Sequence, residues 1–269
     1  MSSSQSPKAS DADNEYLLSR GYVAASRLNL QHYLWQGSLN YIGAPSILVP
    51  PGARITDRPD CRLIGFDLDL SQAPNPGWLP PQINLKKWNI FELVHPDYWG
   101  KFDIVHVRLL VMVLTGKDKT QFIDALLMLL KPGGWLQWDE LNTIDMHVRK
   151  LDKSVATPGL DRICKGTAAS GRYDWTLRIP ELLISRGFEK VKMAKFGDSP
   201  HLARAFNDQN LMTMDEVAAG MEGSGKADEA SKLKSDIGKA YAESIAGAAL
   251  CIPRIVVLAQ RPMQLRQES

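Results

Sequence analysis

A chain of 269 residues has room for one large domain with a full core, or one domain with a small appendage, and little room for two ordinary domains. Hydrophobic residues at 44% and charged residues at 23% exclude a largely disordered or fibrous chain. Lys+Arg 32 against Asp+Glu 30 leaves a net charge of +2, too balanced to mark nucleic acid or an anionic membrane as the partner.

Residues 1–14 are rich in Ser, Asp, Ala and Asn without periodicity, the composition of a disordered tail. From Leu17 to Tyr41 the residues Tyr22, Leu30, Tyr33, Leu34 and Tyr41 recur at roughly helical intervals, which predicts an N-terminal helical region over residues 15–44. Pro45 and Pro50-Pro51-Gly52 then force extended or turning backbone, because proline fixes φ and lacks a donor. A main α/β domain is expected from there, over residues 45–269.

Short apolar runs, each closed by a polar residue, read as its strands: Arg62–Phe66 before Asp67, Ile83–Trp88 before Asn89, Phe102–Val107, and Trp135–Trp138 before Asp139-Glu140. Between the last two, Phe122, Ala125, Leu126, Leu129 and Leu130 form one helix face, which Lys131-Pro-Gly-Gly134 ends. Strand, helix, strand in that order is a crossover unit of a parallel sheet. Further on, Ile179–Ser185 reads as a helix with Pro180 at its start, and Phe188–Met193 and Arg254–Gln260 as strands. A helical insertion is expected over about residues 197–247, where Leu233, Ile237, Tyr241 and Ile245 recur every four residues.

In an open parallel sheet, ligands bind beyond the carboxyl ends of the strands, which makes the closing residues candidates. Asp67 has the acceptors to hold both hydroxyls of a ribose, or simply caps a turn. Asn89 has the same two readings, heterocycle edge or turn. His106 and Arg108 flank Val107 and share a strand face; a histidine there is a candidate general base and an arginine can hold a carboxylate, although a lone strand histidine is more often structural. No GxSxG, HExxH or GxxxxGK[ST] sequence occurs, so the hydrolase, metalloprotease and P-loop readings lose their main support. The remaining histidines have no partner at metal-ligand spacing, and no metal site is expected.

Three cysteines, Cys61, Cys164 and Cys251, are too few and too scattered for a disulfide framework and read as reduced thiols. With no signal-peptide pattern and no apolar run of ~18 residues, a soluble cytoplasmic protein is expected, with the nucleus as the alternative compartment and no membrane partner.

Taken in order, Arg27-Leu-Asn-Leu-Gln-His-Tyr-Leu-Trp35, Pro50-Pro-Gly-Ala-Arg54, Ile64-Gly-Phe-Asp-Leu-Asp69, Gln72-Ala-Pro74, Trp78-Leu-Pro80, Trp88-Asn-Ile-Phe91, Phe102–Arg108 and Leu130–Glu140 are a specific combination. The chain resembles the fungal class I S-adenosylmethionine-dependent methyltransferases of secondary metabolism over roughly residues 15–195. The resemblance implies a Rossmann-like seven-stranded sheet with helices on both faces, and S-adenosylmethionine as cofactor. It implies that Asp67 holds the ribose, that Asn89, Ile90 and Phe91 contact the adenine, and that His106 and Arg108 lie by the methionine portion, with His106 as candidate proton acceptor. The family usually has aspartate where Asn89 stands. It also carries a first strand and a Gly-x-Gly-x-Gly loop before the strand that ends in Asp67, whereas here Gly52–Ile55 is followed only by Thr56–Asp60 before Cys61. Such glycines let the backbone approach the cofactor, so their absence sets two functions against each other. One is methyl transfer to a small metabolite, impaired by the missing loop. The other is a non-catalytic interaction or regulatory protein on the same scaffold, acting through a protein partner or a second copy. Ile47–Val49 has the β-propensity to stand in as a short central strand.

Overall fold

The protein is described by a computed structural model covering residues 18–41, 43–45, 47 and 62–263. The expected tail, the proline-glycine stretch from Leu48 to Cys61 and most of the candidate substitute strand lie outside the described residues. In chain order the elements are α1 (Tyr22–Leu39), β1 (Leu63–Asp67), β2 (Ile83–Lys87), β3 (Phe102–Arg108), α2 (Val111–Leu114), α3 (Thr120–Leu129), β4 (Leu130–Leu141) and β5 (His147–Lys150). There follow α4 (Pro158–Ser170), α5 (Ile179–Ser185), β6 (Glu189–Phe196), α6 (Ala203–Gly223), α7 (Ala227–Ile245), β7 (Ala248–Cys251) and β8 (Arg254–Gln260).

The architecture is mixed α/β with a Rossmann-like strand–helix–strand connection, as expected, but among the described residues the strands form one four-stranded and two two-stranded sheets rather than the single seven-stranded sheet the resemblance implies. The main sheet has the order β3-β4-β8-β6, with β3 and β4 parallel through the α3 crossover and β8 antiparallel to both neighbours. Gly134 permits the tight entry to β4: a Cβ there would sit 2.9 Å from the Lys131 carbonyl and 3.1 Å from those of Phe102 and Asp103. Alternation sends Leu136 and Trp138 of β4, with Ile255, Val257 and Ala259 of β8, into a core shared with α3 and α5. The other face carries Val256 of β8, which packs with Leu34, Trp35 and Leu39 of α1 and Phe206 of α6. Helices therefore cover both faces.

β1 and β2 pair in parallel as a separate sheet, and among the described residues no hydrogen-bonded ladder joins them to β3. Aromatic packing links them instead. The Phe66 ring lies 5.6 Å from that of Trp88, 5.1 Å from Tyr98 and 6.2 Å from Phe102 of β3, all edge to face.

The late helices bring a third core, in which α4, α6 and α7 pack with the antiparallel pair β5-β7 around Leu160, Leu211, Ile237 and Leu250. Glu243 of α7 accepts the N–H of Gly159 at 2.6 Å and of Leu160 at 2.9 Å, satisfying two free donors at the start of α4. The every-four pattern does not mark the buried face of α7: Ile237 is buried, but Tyr241 and Ile245 are exposed, because a strict i+4 repeat drifts by about 40° per step. Ala230, Ala240 and Ser244 share the buried face with Ile237, residues too small or polar to stand out by hydropathy.

Candidate functional site

The strand ends open onto one groove of about 690 Å³, within the usual range for a small-molecule site. β1 contributes Gly65, Phe66 and Asp67; the segment after β2 contributes Trp88, Asn89, Ile90 and Phe91; the turn after β3 contributes Arg108, Leu109 and Leu110. The roof comes from α1, whose Ala25, Leu28, Asn29 and His32 fall at i, i+3, i+4 and i+7. Trp35 and Leu39 continue the same side toward the C-terminal end of α1 and, with Ala24 and Leu34, are buried in the protein. One continuous side of α1 therefore serves the groove near its start and the core near its end, a division that hydrophobic periodicity does not record. No residue from 197–247 lines this groove.

Asp67 is exposed at the groove; its Oδ1 accepts the Asp69 N–H at 3.0 Å, and Oδ2 has no partner among the described residues. The turn-capping role and a free acceptor thus coexist in one carboxylate. Asn89 behaves alike: Oδ1 accepts the Phe91 N–H at 3.1 Å, and Nδ2 donates to Glu92 Oε1 at 3.3 Å. Of the six candidate residues, Asp67, Asn89, Ile90, Phe91 and Arg108 line the groove, whereas His106 stands beside it.

His106 belongs to a polar cluster across β3 and β4. The register sets His106 against Gln137 and Arg108 against Asp139, all four on one sheet face. His106 Nε2 donates to Asp139 Oδ2 at 2.8 Å, Arg108 Nε donates to the same oxygen at 3.3 Å, and Gln137 Nε2 donates to Asp139 Oδ1 at 3.0 Å. Asp139 is fully buried, so three donors compensate the loss of water around its charge. The bond through Nε2 leaves Nδ1 as the acceptor of a neutral His106. From α1, His32 Nδ1 accepts from Arg108 at 3.4 Å, and burial, then the Arg108 charge, then His106 hold the His32 pKa below its ordinary value. Asp139 stands among the strand-closing residues expected at the site, but its pairing with His106, and that of His32 with Arg108, is not visible from the histidines taken singly. The signal for Asp139 lay in Gln137 and Asp139 alternating with Leu136 and Trp138, a polar face on an interior strand.

No protein-family model matches the chain. The methyltransferase grgD of a Penicillium species is 40% identical over 95 residues, 33% of this chain and 33% of the relative. The N-methyltransferase tcpN of Claviceps purpurea is 31% identical over 145 residues, 47% of this chain and 52% of the relative. The chain is similar in sequence to fungal methyltransferases. It spans a third of the Penicillium methyltransferase and about half of the Claviceps one. Among solved structures, a Haemonchus contortus phosphoethanolamine N-methyltransferase in complex with S-adenosyl-L-methionine aligns with 76% of this chain and 44% of its own, at 15% identity and a TM-score of 0.40.

Proposed function

We propose that this chain transfers a methyl group from S-adenosylmethionine to a small metabolite. The observation that carries this reading is the convergence of Asp67, Asn89, Ile90, Phe91 and Arg108, from three strand ends, on one groove. The donor set suits the nucleoside half of the cofactor. The free Oδ2 of Asp67 can accept ribose hydroxyls, and the half-buried Ile90 and Phe91 offer an apolar slot for the adenine. With both ends of its amide engaged, Asn89 acts on the adenine by shaping the Phe91 turn.

When bound, the cofactor supplies an electrophilic methyl group on a sulfonium. Orienting the acceptor then matters more than strong acid or base chemistry. The chain's own part is to hold the nucleoside, to roof the groove with α1, and to take up the proton the acceptor releases. His106, although outside the groove lining, is our candidate for that last role, because Asp139 fixes the proton on Nε2 and leaves the Nδ1 lone pair.

Calorimetric titration of the full chain with S-adenosylhomocysteine tests the reading. Saturable binding is expected, and Asp67→Ala should weaken it about tenfold or more, the loss of charge-assisted hydrogen bonds of about 1.5–3 kcal/mol. Absence of binding at the solubility limit of the ligand overturns the reading. A second reading, a non-catalytic scaffold that acts through a protein partner or a second copy, is favoured by the separation of β1-β2 from β3 among the described residues. S-adenosylhomocysteine retained through purification counts against it; a stoichiometric protein partner with no cofactor counts for it.

A further inference from the structure

The turn after β3 is strained backbone on the groove. Leu109 has φ +57°, a left-handed conformation that leucine rarely adopts, and such strain persists only where surrounding bonds impose it. Two bonds from β4 do so. The Leu109 N–H donates to the Asp139 carbonyl at 3.0 Å, and the Leu110 N–H donates to Glu140 Oε1 at 2.7 Å. The first is main chain and would survive any substitution in β4. The second hangs on a single side chain.

Glu140 is fully buried. Its Oε1 also accepts the Trp138 indole N–H at 3.2 Å, and its Oε2 has no partner among the described residues. The neighbours that act on it most are the Trp138 indole and the main-chain N–H groups of Leu110, Leu141 and Val111, none of them charged. Burial pushes its pKa up to about 8 against the pull of those donors. A carboxyl with no counter-charge in that setting is held neutral at pH 7. Nothing about folding β4 requires an ionisable group here; Leu or Gln would fill the space. What only an acceptor can do is pin Leu110.

We propose that Glu140 is a positioning residue of the groove, whose carboxyl locks the strained Leu109–Leu110 turn and thereby sets Arg108, Leu109 and Leu110 for ligand binding. This rests on the reading that the groove takes the nucleoside of S-adenosylmethionine. With Oε1 replaced by an apolar group, the Leu110 N–H loses its acceptor and the turn is held by the Leu109 bond alone, so the binding-competent fraction falls.

The test compares the full chain with Glu140→Gln and Glu140→Leu by amide hydrogen exchange over residues 108–113 and by S-adenosylhomocysteine titration at pH 7. Glu140→Gln keeps an acceptor oxygen for the Leu110 N–H, so both readouts should stay close to those of the unaltered protein. Glu140→Leu should expose the Leu110 amide and raise Kd about tenfold. The proposal is overturned if Leu110 stays protected or Kd is unchanged in Glu140→Leu, or if Glu140→Gln loses protection to the same extent. Should Glu140→Leu fail to fold, Glu140→Asp, whose carboxyl is one methylene shorter, takes its place with the same expected loss of protection and the same overturning result. If S-adenosylhomocysteine binds none of the proteins, the methyltransferase reading fails, and the exchange data still decide the role of Glu140.

Discussion

Glu140 also gives the protein a stability signature that needs no ligand. Its carboxyl is protonated in the folded state up to about pH 8 and in the unfolded chain only up to its ordinary value of 4.5. The folded state therefore holds an extra proton between those values. The resulting stability is fully present below pH 4.5 and is lost as pH rises toward 8. Glu140→Gln removes the dependence. Its stability relative to the unaltered protein should accordingly be higher at pH 8 than at pH 5, by an amount on the order of a few kcal/mol. Thermal unfolding at both pH values checks this, and a constant difference would mean that Glu140 is ionised in the fold. The neighbouring Asp139 is equally buried but carries three donors, one of them Arg108, which is why two adjacent carboxyls on opposite faces of one strand take different parts.

At the scale of elements, α1 decides whether the groove has a roof. Its strongest tie is Arg27 with Glu216 of α6, at 2.6 Å and 3.1 Å, both side chains almost wholly buried. Removing one partner strands the other charge, at roughly 3–5 kcal/mol. Arg27→Ala should lower the melting temperature and weaken S-adenosylhomocysteine binding together, whereas Arg27→Ala with Glu216→Ala should regain part of the stability; a double-mutant cycle by thermal unfolding reads the difference. Much of the sheet was legible in the sequence, because β-branched runs closed by polar residues mark strands wherever the sheet is covered on both faces. β5 and β7 were not: His147–Lys150 carries three basic or titratable residues, and Ala248–Cys251 is small and short. The strand-end residues of the groove were legible for the same reason as the strands. His32 and the rest of the roof were not, since nothing local records which face of a helix a distant strand end will meet.

For the whole molecule the main question is how β1-β2 and the four-stranded sheet stay together. Among the described residues they share the aromatic cluster around Phe66 and no ladder. Unpaired buried strand groups cost roughly 1–3 kcal/mol each, a large share of a stability of roughly 5–15 kcal/mol. Grafting the glycine-loop segment of a fungal relative between Ile55 and Cys61 should therefore raise the melting temperature by roughly 5 °C or more. A cooperative transition already above ~65 °C in the ungrafted chain, beyond the mesophile range, would mean that its strand edges are covered.

The pinning of α1 also orders events during folding. Arg254 of β8 donates to Ser38 at the end of α1 and to Asp198, and its guanidinium lies 5.8 Å from the Trp35 ring and 4.2 Å from that of Phe206. The roof of the groove thus depends on a strand more than two hundred residues further along the chain. Until β8 is in place, Trp35 and its neighbours have only part of their packing, on Phe206 of α6. Closing so long a loop slows folding, and the groove is fully roofed only once β8 has joined the sheet.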